Sequence, residues 1–449
     1  MDEHQKWLTE HLSNVDWETV LKNPDPTVRV AAVVALQQAG SQAAAYAPLL
    51  VDLLDDPAQD VRERAAGALG AIGGLDASAK DRLVRALGNE SARVRVGVAQ
   101  VLWKLAPDAQ AILPILVACL EHEDAFVRWN AATALGDMGQ AAMPALTALE
   151  FALHDRDDGV QMHAARALGN LGLFPERIVP ALISLLREHS TRRIQAQGER
   201  LHLVVHSALH QFGAAAVPFL VRALSEDGDD FQLRILSVLG HLGHLAAPAL
   251  PALMVLLTNE SAALRRRAAF VLGQIGPDAE TSAPLFQTLL DDPDSTVRVA
   301  AAQALWRIGS WSDEAFKILI NAVVDDRTPA AARTNAISAL GGLGPAAAEA
   351  VPALRRLLSS SSTPRDERQP AALALWHIAG DLSGVESCLH EALQDEDPES
   401  RVQMLRMLPS LGAAGKQFLE MVERLQSDPN PTVRTTAAAV AKRIRSICG

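Results

Sequence analysis

Apolar residues fall at helical spacing in two successive runs, and the pair of runs recurs along the chain. Between Pro48 and Gly73, Leu49, Leu50, Leu53 and Leu54 form the first run, and Asp55, Asp56 and Pro57 interrupt it. Val61, Ala65, Ala68, Leu69 and Ile72 then line one face of a second run. The pattern predicts two antiparallel helices per unit. Copies of the second run read DPTVRVAAVVAL, DVRERAAGALGAIG, FVRWNAATALGDMG, LRRRAAFVLGQIG and TVRTTAAAVAKRI. Aligned on the position of Arg29, thirteen copies are found, anchored at Arg29, Arg62, Arg95, Arg128, Gln161, His202, Gln232, Arg265, Arg298, Arg333, Arg368, Arg401 and Arg434. Most steps are 33 residues, and a sustained period of that size marks an array of stacked repeats.

Punctuation agrees with the pattern. Pro48, Pro114, Pro180, Pro251, Pro284 and Pro352 stand nineteen residues after an anchor, where a first helical turn needs no amide donor. Asp25, Ser91, Asp124, Asp157, Ser261, Asp294, Asp397 and Asn430 stand four residues before one and are expected to cap the second helix, each cap contributing ~1 kcal/mol. Gly40, Gly73, Gly139, Gly172, Gly213, Gly243, Gly276, Gly309, Gly344 and Gly412 share a third position, expected to be a left-handed stop.

Composition changes this picture little. Aromatics are 4% of the chain, so the core must be built from Ala, Leu, Val and Ile. Cys119, Cys388 and Cys448 have neither CxxC spacing nor a zinc-ligand pattern, which fits reduced thiols in a cytoplasmic protein. The charged N-terminus MDEHQKWLTEHL has no apolar run of signal-peptide or membrane-span length. No cofactor, metal or membrane association is expected.

The repeats resemble the HEAT repeat family, and within it the short phycobilisome-lyase-like subtype whose units read VRxxAAxALGxIG. The resemblance covers roughly residues 16–447 and implies an all-α, HEAT-like α-solenoid, a right-handed superhelix of stacked helix pairs whose second helices line a concave surface. It also implies that the anchor arginines join a ladder between neighbouring repeats with the acid or Asn six residues before each anchor: Asn23, Asp56, Asn89, Asp155, Asn259, Asp292, Asp395 and Asp428. The expected organisation is an N-terminal helical cap at 1–15 and one continuous array at 16–449, irregular at 187–240.

Positions two, five and nine after each anchor lie opposite the Ala and Leu stripe. They carry Arg64, Lys104, Arg166, Arg234, Arg267, Arg307, Arg406 and Arg443 against the single acid Asp137. That strip has a formal charge of +7 in a chain of −12, leaving −19 elsewhere. Asn130, His163, His241 and His377 share it, and the histidines add charge at lower pH. One reading is a surface for an anionic partner: a protein, an acidic or phosphorylated ligand, or less favourably a nucleic acid. The other is that capping and helix dipoles segregate the charges.

The centre departs from the period. A 41-residue step brings the segment REHSTRRIQAQGER, net positive through Arg187, Arg192, Arg193 and Arg200 against Glu188 and Glu199. It reads either as a functional loop or as a solvated one. His202, His206 and His210 follow at i, i+4 and i+8. Three turns span about 12 Å, so one metal could use two of them at most, and packing is the alternative. Trp103, Trp306 and Trp376 replace Gly eight residues after their anchors, either to fill the crevice between repeats or to stack a ligand. The run Ser359 to Ser362 reads as a loop.

Catalytic readings find no support in the motifs. HEAT-like di-iron hydroxylases carry His-Glu pairs just after the anchor, whereas His122 with Glu123 and His390 with Glu391 fall elsewhere in the repeat. Trp103 and Asp137 are too generic for a HEAT-like DNA glycosylase, and no P-loop, Rossmann or Ser-His-Asp pattern is present. The expected function is a non-catalytic scaffold or adaptor. The alternative is a phycobilin or tetrapyrrole lyase, or another enzyme-assisting subunit; a repeat match alone does not carry that activity.

Overall fold

The computed structural model describes residues 15–72, 77–105, 108–188, 196–226, 228–360, 363–393 and 396–448. The described residues are helical with no strand. Residues 1–14 of the expected cap lie outside them, as do Gly73, Arg192, Arg193, Asp395, Ser361 and Ser362, and the side chains of Glu199, Arg200, His390 and Cys448. The chain forms two compact units, Met1–Arg234 and Ile235–Gly449, each a run of helix pairs.

A second helix forms at every one of the thirteen anchors, from Pro26–Ala39 to Pro431–Cys448. Within the first unit the helices Pro26–Ala39, Gln59–Ile72, Ala92–Leu105, Ala125–Met138 and Asp158–Leu171 pack side by side in order. Ala262–Ile275, Ser295–Arg307, Ala330–Leu343 and Arg365–Ala379 do so in the second. The first helices pack on this layer and close a core of Ala, Leu, Val and Ile. Small residues set the spacing. A Cβ built on Gly169 would stand 2.8 Å from Ala208 Cα, so only glycine lets those two backbones approach so closely.

The caps form as expected at Asp25, Asp124, Asp157, Asp294, Asp397 and Asn430, whose side chains accept amides of the following turn. Ser261 departs from expectation and makes no capping bond; its own amide instead donates to Asn259. Pro114 and Pro180 also differ, because the helices Ala109–Leu120 and Pro175–Glu188 start earlier and enclose them. The stop glycines mostly differ in ψ. Gly40 has φ 56° and ψ −134°, a conformation that continues the chain into a 3-10 turn, Gly40–Tyr46; Gly172, with φ 62° and ψ 14°, is the left-handed stop anticipated.

The ladder joins four anchors to the acid of the next repeat. Arg29 pairs with Asp56, Arg128 with Asp155, Arg265 with Asp292 and Arg401 with Asp428. Anchors also donate within their own repeats, as Arg29 does to Asn23 O and Arg62 to Asp56 O. Arg333 and Arg368 find Glu367 and Glu391 instead.

Two helical stretches, Asp229–Leu256 and Ala330–Ser359, are long and apolar enough to cross a membrane by length and composition. Each runs through a positive-φ glycine, Gly243 or Gly344, and so consists of a second helix, a 3-10 turn and the next first helix.

Candidate functional site

Positions two, five and nine after the anchors fall outside the buried stripe of each second helix. Arg64, Lys104, Arg166, His241, Arg406 and Arg443 are exposed, whereas Asn130, His163, Arg234, Arg267 and Arg307 are half-buried. Their electrostatics separate them from the ladder. The ladder arginines carry close carboxylates, but none of the eight bases of the strip forms an ion pair with a described residue. Unpaired cations retain their capacity to bind an anion.

The structure brings strip residues together in two places. In the first unit, His163 Nδ1 lies 2.8 Å from Thr133 Oγ1, whose own proton goes to Trp129 O at 2.9 Å. Arg166 Nη2 stands 3.2 Å from the same imidazole nitrogen, and Trp129 meets the ring edge-on at 5.5 Å. Burial first, and the Arg166 charge second, hold His163 below the ordinary histidine value. It therefore gains charge only at a lower pH than an exposed histidine. Asn130 is turned back on its own helix, donating to Phe126 O.

In the second unit, the Arg267 guanidinium lies over the Phe270 ring, 5.1 Å from its centroid. Burial first, then the neighbouring Arg266 charge, push Arg267 below the ordinary arginine value, and burial does the same to Arg307. Arg64, Lys104, Arg406 and Arg443 make no comparable cluster among the described residues.

Residues beyond the expected strip extend the first cluster. Phe126 is 45% exposed, packs against Trp129 at 5.6 Å, and carries the Arg93 guanidinium 4.7 Å above its ring. Arg93 is itself neutralised by Glu63 and Asp124. Phe126 and Trp129 stand two before and one after the anchor Arg128, so a strip defined by helical angle alone passes them over; the aromatic pair around Arg128 was their signal.

At the centre the anchors lose their charge and the ladder changes. Gln161 donates within its own repeat to Asp155 O, and Gln232 to Leu224 O and Glu226 O. His202 is half-buried, with Nε2 unpartnered among the described residues; burial, then Arg234, hold it below the ordinary value. His206 is buried with its ring 6.0 Å from that of His202, and His210 is exposed. Among the described residues no group of three His, Cys, Asp or Glu is placed to hold a metal. The three histidines thus occupy three different environments.

The tryptophans reach into the next repeat. Trp103 Nε1 donates to Asp137 O at 3.2 Å, and a Cβ built on Gly342 would stand 2.4 Å from the Trp306 ring. Trp376 packs on the apolar cluster of the last repeats. Burial pushes the Cys119 and Cys388 thiols up, the latter to about 11.

A family model for HEAT repeats matches residues 16–103, 81–150, 217–306 and 282–376, together more than half of the chain. A model for the PBS lyase HEAT-like repeat matches 160–188. No curated protein matches. Among solved structures, the chain is similar to that of Kap95p binding RanGDP, with a TM-score of 0.57 and 12% identity over 98% of this chain and 68% of that one. It is also similar to importin beta in an ammonium sulfate condition, at 0.55 and 16% over 99% and 70%. The karyopherin Kap121p bound to the extreme C-terminus of the phosphatase Cdc14p gives 0.55 and 15% over 99% of this chain, which spans 54% of that protein. At such identities the likeness is one of fold.

Proposed function

This chain belongs to the HEAT-repeat family, and from that premise we propose that it is a non-catalytic scaffold or adaptor binding an anionic protein partner along its second helices. The observation that carries the reading is the set of eight strip bases without a carboxylate, in a chain whose ladder arginines are neutralised. A capping or dipole origin would explain where the bases fall, but not why they stay unpaired while 53 acids are available. Similar folds, Kap95p and Kap121p, engage protein partners, which supports a recognition role. On this reading the array runs continuously over 16–449 in a cytoplasmic protein, without cofactor, metal or membrane.

The test is retention on an immobilised acidic peptide as salt is raised. Wild type is expected to bind and to elute with salt, and reversal of Arg234, Arg267 and Arg307 to Glu to abolish binding. Equal retention of the reversed protein would overturn the reading. The PBS lyase match at 160–188 favours a second reading, a tetrapyrrole-handling subunit. Visible absorbance after co-expression with bilin or haem would support it, and a colourless protein that captures a protein partner would exclude it.

A further inference from the structure

One surface of the first unit carries aromatic rings beside its charges. Two residues before their anchors, three consecutive repeats place Arg93, Phe126 and Gly159 at one register position. Phe126 is 45% exposed and takes the Arg93 guanidinium over its ring at 4.7 Å. Gly159 makes room for Trp129: a Cβ there would stand 3.2 Å from Cε3 of the indole and 2.9 Å from Asp157 Oδ1, tighter than ordinary van der Waals contact. Phe126 and Trp129, both on the helix Ala125–Met138, stand 5.6 Å apart, and Trp129 meets His163 of the next repeat at 5.5 Å. Arg166, exposed and without an ion pair, ends the row with Nη2 3.2 Å from the imidazole Nδ1. The Trp129 Nε1–H is bonded to no described residue and is not buried, whereas Trp103 gives its indole proton to Asp137 O.

We propose that this row docks a proline-rich segment of a partner protein, in polyproline II conformation and with an acidic residue beyond the prolines. The site goes beyond the basic strip, with which it shares only His163 and Arg166. A polyproline II chain has no internal hydrogen bonds, so its carbonyls are free for a donor such as the Trp129 indole, and proline brings no amide that must find an acceptor. A helical ligand has already used its carbonyls. Pyrrolidine rings pack on aromatic faces, and the preformed chain loses little entropy on docking. Two residues of that conformation rise about 6 Å, close to the 5.6 Å between the Phe126 and Trp129 rings. A carboxylate about three residues further along, ~9 Å, reaches Arg166. A nucleic acid fits the exposed ring poorly, because the Arg93 above it is held by both Glu63 and Asp124, two carboxylates against one guanidinium, which repel a phosphodiester.

Labelled peptide pools of the pattern Pro-Pro-X-Pro-Glu, compared by anisotropy with pools carrying Ala at every Pro, test the site. The proline pool is expected to bind at least about tenfold tighter. F126A/W129A should lose that preference, and F151A, which removes an exposed ring from the first helix Leu146–Ala152, should keep it. Because Trp129 is half-buried, W129F is the second variant: it keeps a ring, removes the indole donor and should weaken binding of the proline pool about threefold or more. R166A should abolish the advantage of Glu over Gln at the last position and leave the proline preference. Equal binding of the proline and alanine pools, a preference that survives F126A/W129A, or tighter binding of single-stranded DNA of matched length would overturn the site. If acidic peptides are retained but the two pools bind alike, the docking site fails and the basic strip stands. A proline preference in a protein whose retention ignores salt leaves the site standing without the strip.

Discussion

Arg29 and Asp56, twenty-seven residues apart, form a buried two-armed ion pair, Nε to Oδ2 at 2.8 Å and Nη2 to Oδ1 at 2.7 Å. The same carboxylate accepts the amide of Ala58, so one aspartate closes its own turn and fastens the preceding repeat. Arg128 with Asp155 and Arg265 with Asp292 repeat this arrangement.

Removing one partner strands a buried charge. Asp56→Ala is expected to cost about 3 kcal/mol, in the range for breaking a buried pair. Urea unfolding followed by circular dichroism reads this loss, and Arg62→Ala, whose nearest acid is the exposed Glu90 at 3.7 Å, should cost clearly less.

Acid should act through the ladder. Burial, the largest single influence, raises the Asp155 and Asp292 carboxyls, but the hydrogen bonds from Arg128 and Arg265, those from the amides of Asp157 and Asp294, and the guanidinium charges together outweigh it and leave both below the ordinary value. A depressed folded-state value means stability fully present above the unfolded carboxyl value, about pH 4, and lost as pH falls through the folded one. Melting temperature is therefore expected to fall below about pH 4, and Asp155→Asn to start lower and fall less.

His202 adds a second, milder dependence. Its folded-state value is depressed from 6.5 by burial and by Arg234, so its contribution is present above that pH and lost as acid protonates the unfolded chain first. His202→Gln, matching Gln161 and Gln232, should flatten the stability profile as pH falls below about 6.5. An unchanged slope in thermal melts would assign the dependence to other groups.

Gly342→Ala should be destabilising by roughly 1–3 kcal/mol, because its Cβ would enter the Trp306 ring. Trp306→Ala in the same chain should recover part of that loss, a coupling that a double-mutant cycle in denaturant measures. Additive costs would mean the ring does not fill this crevice.

Much of the fold was legible because the repeat writes the same local physics many times. Asp25, Asp124 and Asp294 cap as their spacing predicts, and Asp56, Asp155, Asp292 and Asp428, six residues before an anchor, enter the ladder. Ser261 stands at the N-cap position as its spacing predicts but makes no side-chain bond there, and Pro114 was misplaced because its helix starts earlier, at the Asp108 cap. For the candidate site, helical angle placed Arg267 and Arg307 outside the core stripe but passed over Phe126 and Trp129. It also could not separate His202, half-buried beside Arg234, from His210 in solvent.

The sequence by itself determined the repeat, its two helices, their caps and the alanine and leucine stripe, since these depend on residues within a few turns of one another. Tertiary structure decided which charges are spent. Arg265 and Arg267 stand two residues apart and are chemically alike, yet Arg265 meets Asp292 while Arg267 meets a phenylalanine ring. A turn of 100° per residue sends neighbouring side chains to different surfaces, and only the stacking of the next repeat supplies, or withholds, the carboxylate.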